Sequence, residues 1–321
     1  MPEDVTAIIF GTYEGGAVGF EVFRDEQGSI ELNQIMSTLC HVGCVRAASA
    51  SGRYAVTGGT DELINVFDLT KKRHLGTMGG SVHTSTITAL GVCAAGGLLV
   101  SGCDEGHIAI TRLKDSETLK SFKGHKSAVL DISCHPSGRV ALSISTDNTL
   151  RMWDLSRGTC AAVRTVCPVK RPNSVRGAVS AANMQVKYTP KGSRYALLLP
   201  GGRLEICSSS SADVVALESS SVCICALTED HFLTGDNRGN LQVIMLSNGE
   251  AKIVAELPEA HSTRTKGIAR VLHQEGDAVF AASVCAAGRI VFTKYTVSEN
   301  KFEVVRTVET GSRVTCFSSN C

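Results

Sequence analysis

The stretch GHKSAVLDISCHPSGRVALSISTDNTLRMWD, Gly124 to Asp154, decides the fold. SAVLDISC (127–134) is a β-rich run, and the turn HPSGR (135–139) follows it. A second run leads into SISTDN (143–148), whose last residues make an acidic turn. A third, TLRMWD (149–154), closes the unit. Short apolar runs bounded by Gly, Pro, Asn and Asp read as strands joined by hairpins. The same order of events precedes this stretch twice, because His41, His83 and His125 recur at a spacing of 42 residues. Their acidic turns are GGTDE (58–62) and SGCDEG (101–106), and their closing runs are LINVFD (63–68) and HIAITR (107–112). A short outer run such as TLKSF (118–122) completes each unit.

Four strands at a period of about 40–45 residues, with Gly-His opening and Trp-Asp closing, are the signature of WD repeats. Phe67-Asp68 is a close variant of Trp-Asp and Thr111-Arg112 a poor one, while His41 and His83 lack the preceding Gly. The architecture this predicts is all-β: a propeller of twisted four-stranded blades stacked around an axis. Weaker units read as blades at 185–207, at 221–246 and at 261–295, the last with 303–308 as its outer strand. The N-terminal runs TAIIFGTY, AVGFEVF and SIELNQIM give three strands, and RVTCF (313–317) gives a fourth. Together they predict a seventh blade shared between the termini, which leaves no open sheet edge. Six blades with an irregular N-terminal piece is the alternative count.

A length of 321 residues suggests about two domains at roughly 150 residues each. The repeat replaces that with a single closed domain spanning 1–321. Hydrophobic residues at 43% suffice for a core, and 31 glycines against 7 prolines fit a chain of many tight turns. The formal net charge of +1 speaks against a partner bound by overall charge, whether nucleic acid or an anionic membrane. MPEDVTAIIFG is acidic with a short apolar run and does not read as a signal peptide, and no run approaches a membrane span. Thirteen scattered cysteines read as small free hydrophobes of a reducing compartment.

His125, Ser143 and Asp147 invite comparison with a nucleophilic triad. In the WD-repeat pattern they join Trp153 in a hydrogen-bonded tetrad that staples a loop to its blade. No G-x-S-x-G elbow surrounds any serine, so no catalytic residue is assigned. Cys40, His41 and Cys44 lack a second ligand pair, and Cys223 and Cys225 fit strand packing, so no metal site is assigned. No phosphate-cradling glycine motif stands between a strand and a helix, and no cofactor is expected. Binding is expected on loops. TVCPVKRPNSVRGAV (165–179) carries Lys170, Arg171 and Arg176, and HSTRTKG (261–267) carries His261, Arg264 and Lys266. Both connect an outer strand to the next inner strand and so open on one face. Lys170, Arg171, Arg176, Arg264 and Lys266 are the candidate partner-binding residues, suited to an anionic or RNA-associated contact. Lys71, Lys72 and Arg73 read as a solvated turn, and the serine runs 208–211 and 219–221 as outer loops.

The run LKSFKGHKSAVLDISCHPSGRVALSISTDNTLRMWDL (119–155) resembles the p21-activated-kinase-interacting-protein family of WD-repeat proteins. So do TGGTDELINVFDL (57–69), FGTYEGGAVGF (10–20) and SRVTCF (312–317). The resemblance implies a seven-bladed, monomeric, non-enzymatic propeller in the nucleus and nucleolus. It implies an assembly factor of the large ribosomal subunit, docked on pre-ribosomal proteins, assembly factors and pre-rRNA. For animal members it also implies binding and restraint of a p21-activated protein kinase, with the cytoplasm as the corresponding location.

Overall fold

Burial follows strand position because each blade is covered on both faces by its neighbours. In a computed structural model, residues 5–80, 82–166, 184–210, 214–217 and 219–321 are described. Their 28 strands, β1 to β28 in chain order, form seven four-stranded antiparallel sheets. The second strand of a blade reads as an almost unbroken buried run, as in β9 (Leu98–Cys103) and β13 (Val140–Ser145). Outer strands such as β11 (Glu117–Lys123) and β15 (Thr159–Thr165) are largely exposed. Glu117, Lys120 and Lys123 put charge on the β11 rim, which discourages edge-to-edge pairing, whereas β15 exposes Ala161, Ala162 and Val163. The one helical turn among the described residues is the 3₁₀ segment Ala94–Gly96, and no helix is long and apolar enough to cross a membrane.

Seven inner strands line the axis: β4 (Val45–Ser51), β8 (Ile87–Cys93), β12 (Val129–Cys134), β16 (Gln185–Tyr188), β20 (Ser221–Ala226), β24 (Thr265–Glu275) and β28 (Val314–Ser319). They neighbour one another in a closed cycle, β24 meeting β28 and β28 meeting β4. The architecture is thus seven blades, not six. The shared blade has the order β28-β1-β2-β3, with β1 at Thr6–Thr12, β2 at Gly16–Arg24 and β3 at Ile30–Leu39. Ile8 pairs with Ser319 and Phe10 with Phe317 across the closure. Asn320 clasps it further: its side-chain oxygen accepts from the Ala7 N–H at 2.7 Å, and its amide donates to the Gly52 carbonyl at 2.8 Å.

A recurring glycine sets the distance between blades. A Cβ on Gly102 of β9 would lie 2.8 Å from the Val129 side chain of the next blade. Gly11, Gly58 and Gly235 are crowded in the same way by Val45, Ile87 and Thr265. Each glycine is a notch for the first side chain of the following inner strand. Successive side chains on a strand face opposite ways. Just after each notch-filling residue that alternation breaks: the pairing with the second strand shifts register, so Arg46, Thr88, Leu130 and Lys266 are bulge residues, and all four line the axial channel.

One sequence expectation is corrected here. Cys93 of β8 and Cys134 of β12 are joined in a disulfide between adjacent blades, with Cα atoms 5.6 Å apart. The two stand about one repeat apart, at matching positions on neighbouring inner strands. Ten other cysteines are free, and Cys167 lies outside the described residues.

Candidate functional site

The 124–154 repeat brings its four polar residues into one chain of hydrogen bonds. Trp153 Nε1 donates to Ser143 Oγ at 2.8 Å. Ser143 Oγ lies 2.7 Å from His125 Nε2, and His125 Nδ1 lies 3.1 Å from Asp147 Oδ2. The carboxylate can only accept, so the proton sits on Nδ1 and the serine hydroxyl donates to Nε2. Burial opposes ionisation of Asp147, but bonds from Thr149 and the Lys126 amide, with His125 nearby, outweigh it and hold the carboxyl at about 2. Ser143 has no solvent exposure, so no substrate reaches its oxygen. Outside the ring, the His125 N–H donates to the carbonyl of Gly106 in the preceding blade at 2.9 Å. The histidine therefore fixes its own blade with its ring and the neighbouring blade with its backbone.

Other repeats carry shortened versions. His41 Nδ1 meets Asp61 at 2.9 Å and Nε2 meets Thr57 at 2.9 Å, with buried Phe67 where Trp would stand. Among the described residues, His83 Nε2 meets Ser101 alone, at 2.7 Å. His261 was read as part of a basic loop, but it is 1% exposed and meets Ser283 at 2.8 Å. Burial pushes the pKa of His83 and of His261 down to about 4. At neutral pH His261 adds no positive charge to its loop.

Of the candidate partner-binding residues, Lys170, Arg171 and Arg176 lie outside the described residues. Arg264 and Lys266 stand at the start of β24 and line an axial channel of about 580 Å³. Arg46 at the start of β4 and Arg313 just before β28 line the same channel. These two partners come from other blades, and sequence reasoning missed them. The signal was present but unread: Arg46 and Lys266 each follow the notch-filling residue of their strand. Arg313 lies over the Tyr13 ring at 4.9 Å. Deeper in the channel Asp131 is held by Lys187 Nζ at 2.8 Å and by the Val186 amide at 3.0 Å. Among the described residues, no three His, Cys, Asp or Glu side chains cluster as metal ligands would.

Seven hairpin-built blades, a closed inner ring and a repeated histidine staple define a WD-repeat β-propeller, a scaffold fold. Residues 116–154 match the model of the WD domain, G-beta repeat. The chain is 28% identical to a p21-activated protein kinase-interacting protein 1-like protein of Xenopus laevis, over 99% of this chain and 82% of that one. It is 34% identical to Protein MAK11 of Saccharomyces cerevisiae, over 32% of this chain and 28% of that one. Among solved structures, the RRP9 WD40 repeats superpose with a TM-score of 0.71 at 14% identity, covering 97% of this chain and 88% of that one, a likeness of fold. Within the WD-repeat class, the chain is similar along most of its length to proteins named p21-activated protein kinase-interacting protein 1-like.

Proposed function

We propose that this protein is a non-catalytic WD-repeat scaffold of large-ribosomal-subunit biogenesis, a single domain over 1–321 that docks protein partners, and pre-rRNA, on pre-ribosomal particles in the nucleolus. The observation that carries the reading is kinship along almost the whole chain with a family whose resemblance implies that role. The scaffold part rests on the propeller itself: its one complete Ser-His-Asp arrangement is sealed against Trp153 and committed to holding a loop. The total charge of +1 favours protein docking with local basic contacts over wrapping by RNA. Affinity purification followed by sucrose-gradient fractionation tests it. Co-sedimentation with large-subunit precursors is expected, and depletion should disturb large-subunit rRNA processing. Residence in light fractions with intact processing overturns the reading. Charge reversal of Arg171 and Arg176 is expected to weaken partner capture, and undiminished capture removes both from the interface.

A second reading is favoured by the name of the Xenopus laevis relative, which calls it kinase-interacting. In that reading the propeller is an adaptor that restrains a p21-activated-type protein kinase. It predicts cytoplasmic location and capture of such a kinase from extracts, without ribosomal precursors.

A further inference from the structure

Four cations converge on one arc of the channel mouth. They come from three adjacent blades: Arg264 and Lys266 precede or begin β24, Arg313 precedes β28, and Arg46 begins β4. The inner strands of these blades are neighbours in the ring, so the cations stand at one level of the axis. Hydrogen bonds fix that level. Thr315 of β28 donates to the Val45 carbonyl of β4 at 2.6 Å, and the Tyr13 N–H donates to the Arg313 carbonyl at 3.0 Å. Across the channel the corresponding axis-facing residues are Thr88, Leu130, Gln185 and Val222, all neutral. Asp131 is the one carboxylate among the described lining residues, and it is engaged by Lys187. Glu14, on the neighbouring turn, stands outside the lining.

Such a grouping costs stability in the empty protein. Lys266 is held below the usual lysine value, first by desolvation and then by the charges of Arg264, Arg46 and Arg313. Like charges packed in a concave mouth focus a positive potential that attracts anions. Arginine forks match the oxygens of phosphoryl groups in a bidentate way, and lysine adds a point charge. Tyr13 lines the same mouth, where its phenol is a neutral donor. The channel's small volume suits a compact anion, not a folded macromolecule.

We propose that the channel mouth formed by Arg46, Arg264, Lys266 and Arg313 is a binding site for a compact anion bearing several phosphoryl groups. The proposal stands independently of the ribosomal reading, because it concerns a ligand of the isolated propeller. Inorganic tripolyphosphate is the probe, titrated calorimetrically into the full chain at about 0.15 M salt, where bulk charge attraction is screened beyond roughly 8 Å. One bound tripolyphosphate per chain and a ligand-dependent rise in melting temperature are expected. Arg46→Gln and Lys266→Gln should each weaken binding about tenfold, the scale of one lost charge-assisted contact. Both should leave the ligand-free melting temperature unchanged or higher, since they relieve repulsion. Lys71→Gln, on a distant rim turn, should bind like the parent chain. Absence of binding, several weak equivalents per chain, or parent-like affinity in both channel variants overturns the proposal. So does displacement of tripolyphosphate by a short single-stranded RNA that binds more tightly and loses affinity in the same variants, which would make the site one for a nucleic-acid backbone.

Discussion

Gly124 shows how one residue answers to another far from it in the strand order. A Cβ there would lie 2.8 Å from Ile108 Cγ1 and 2.9 Å from the far edge of the Trp153 ring. The Gly of Gly-His is thus required by the Trp of Trp-Asp. Where the aromatic is Phe67, Cys40 takes the glycine's place and packs against that cluster. Where Thr111 replaces the aromatic, Val82 precedes the histidine. The two departures from the repeat pattern are therefore one compensated change. Gly124→Ala should destabilise by about 1–3 kcal/mol through overpacking. In Trp153→Phe the penalty of Gly124→Ala should shrink, a coupling that a denaturant double-mutant cycle would measure. Equal penalties in both backgrounds would detach the glycine from the tryptophan. His125→Ala should cost about 1–3 kcal/mol, because Ser143 and Asp147 lose their shared partner in a buried site.

At the level of elements, the blades are held apart and in register by the glycine notches and the histidine staples. Gly102→Ala puts a methyl where Val129 already sits and should cost about 1–3 kcal/mol. Pairing it with Val129→Ala should recover part of that loss in chemical denaturation, whereas additive losses would show that no notch exists. Closure works at the same scale. The β28 strand covers the free edge of β1, and removing residues 314–321 strips that cover. Such a truncation is expected to lower the melting temperature and to broaden or aggregate the peak in size-exclusion chromatography. A sharp monomeric peak with unchanged melting would mean the closure is dispensable.

At the scale of the molecule, the buried histidines tie stability to pH. His83 and His261 titrate at about 4 in the folded chain, because burial disfavours their charged form, and at about 6.5 in the unfolded chain. A depressed histidine pKa means the unfolded state takes up protons that the folded state refuses. Their contribution is complete above about 6.5 and is lost as pH falls towards 4, at about 1.4 kcal/mol per pKa unit. Asp147, held at about 2, adds a separate loss only below its unfolded value near 3.8. Melting temperature should therefore be level above pH 7 and fall steadily from about 6.5 to 4. The double variant His83→Gln with His261→Gln should flatten that slope, and an unchanged slope would place the proton uptake elsewhere.

The periodic features needed nothing beyond the chain order. Strand runs, acidic turns, the 42-residue spacing and the terminal halves of the shared blade are local patterns, and locality makes them legible. The His125–Ser143–Asp147–Trp153 grouping was legible for the same reason, since each residue holds a set place in one repeat. The channel mouth was half legible: Arg264 and Lys266 were visible as a basic segment, but their partners were not. Arg46 and Arg313 join them only because the blades of β24, β28 and β4 are consecutive around the ring, although residues 46 and 313 stand near opposite ends of the chain. His261 and the Cys93–Cys134 pair were misread on similar grounds. Whether a histidine is a surface charge or a neutral buried staple depends on the neighbouring blade above it. Whether two cysteines meet depends on which inner strands adjoin. Hydrophobic and turn patterns are written along the chain, whereas proximity across the axis arises when seven separate sheets close on one another.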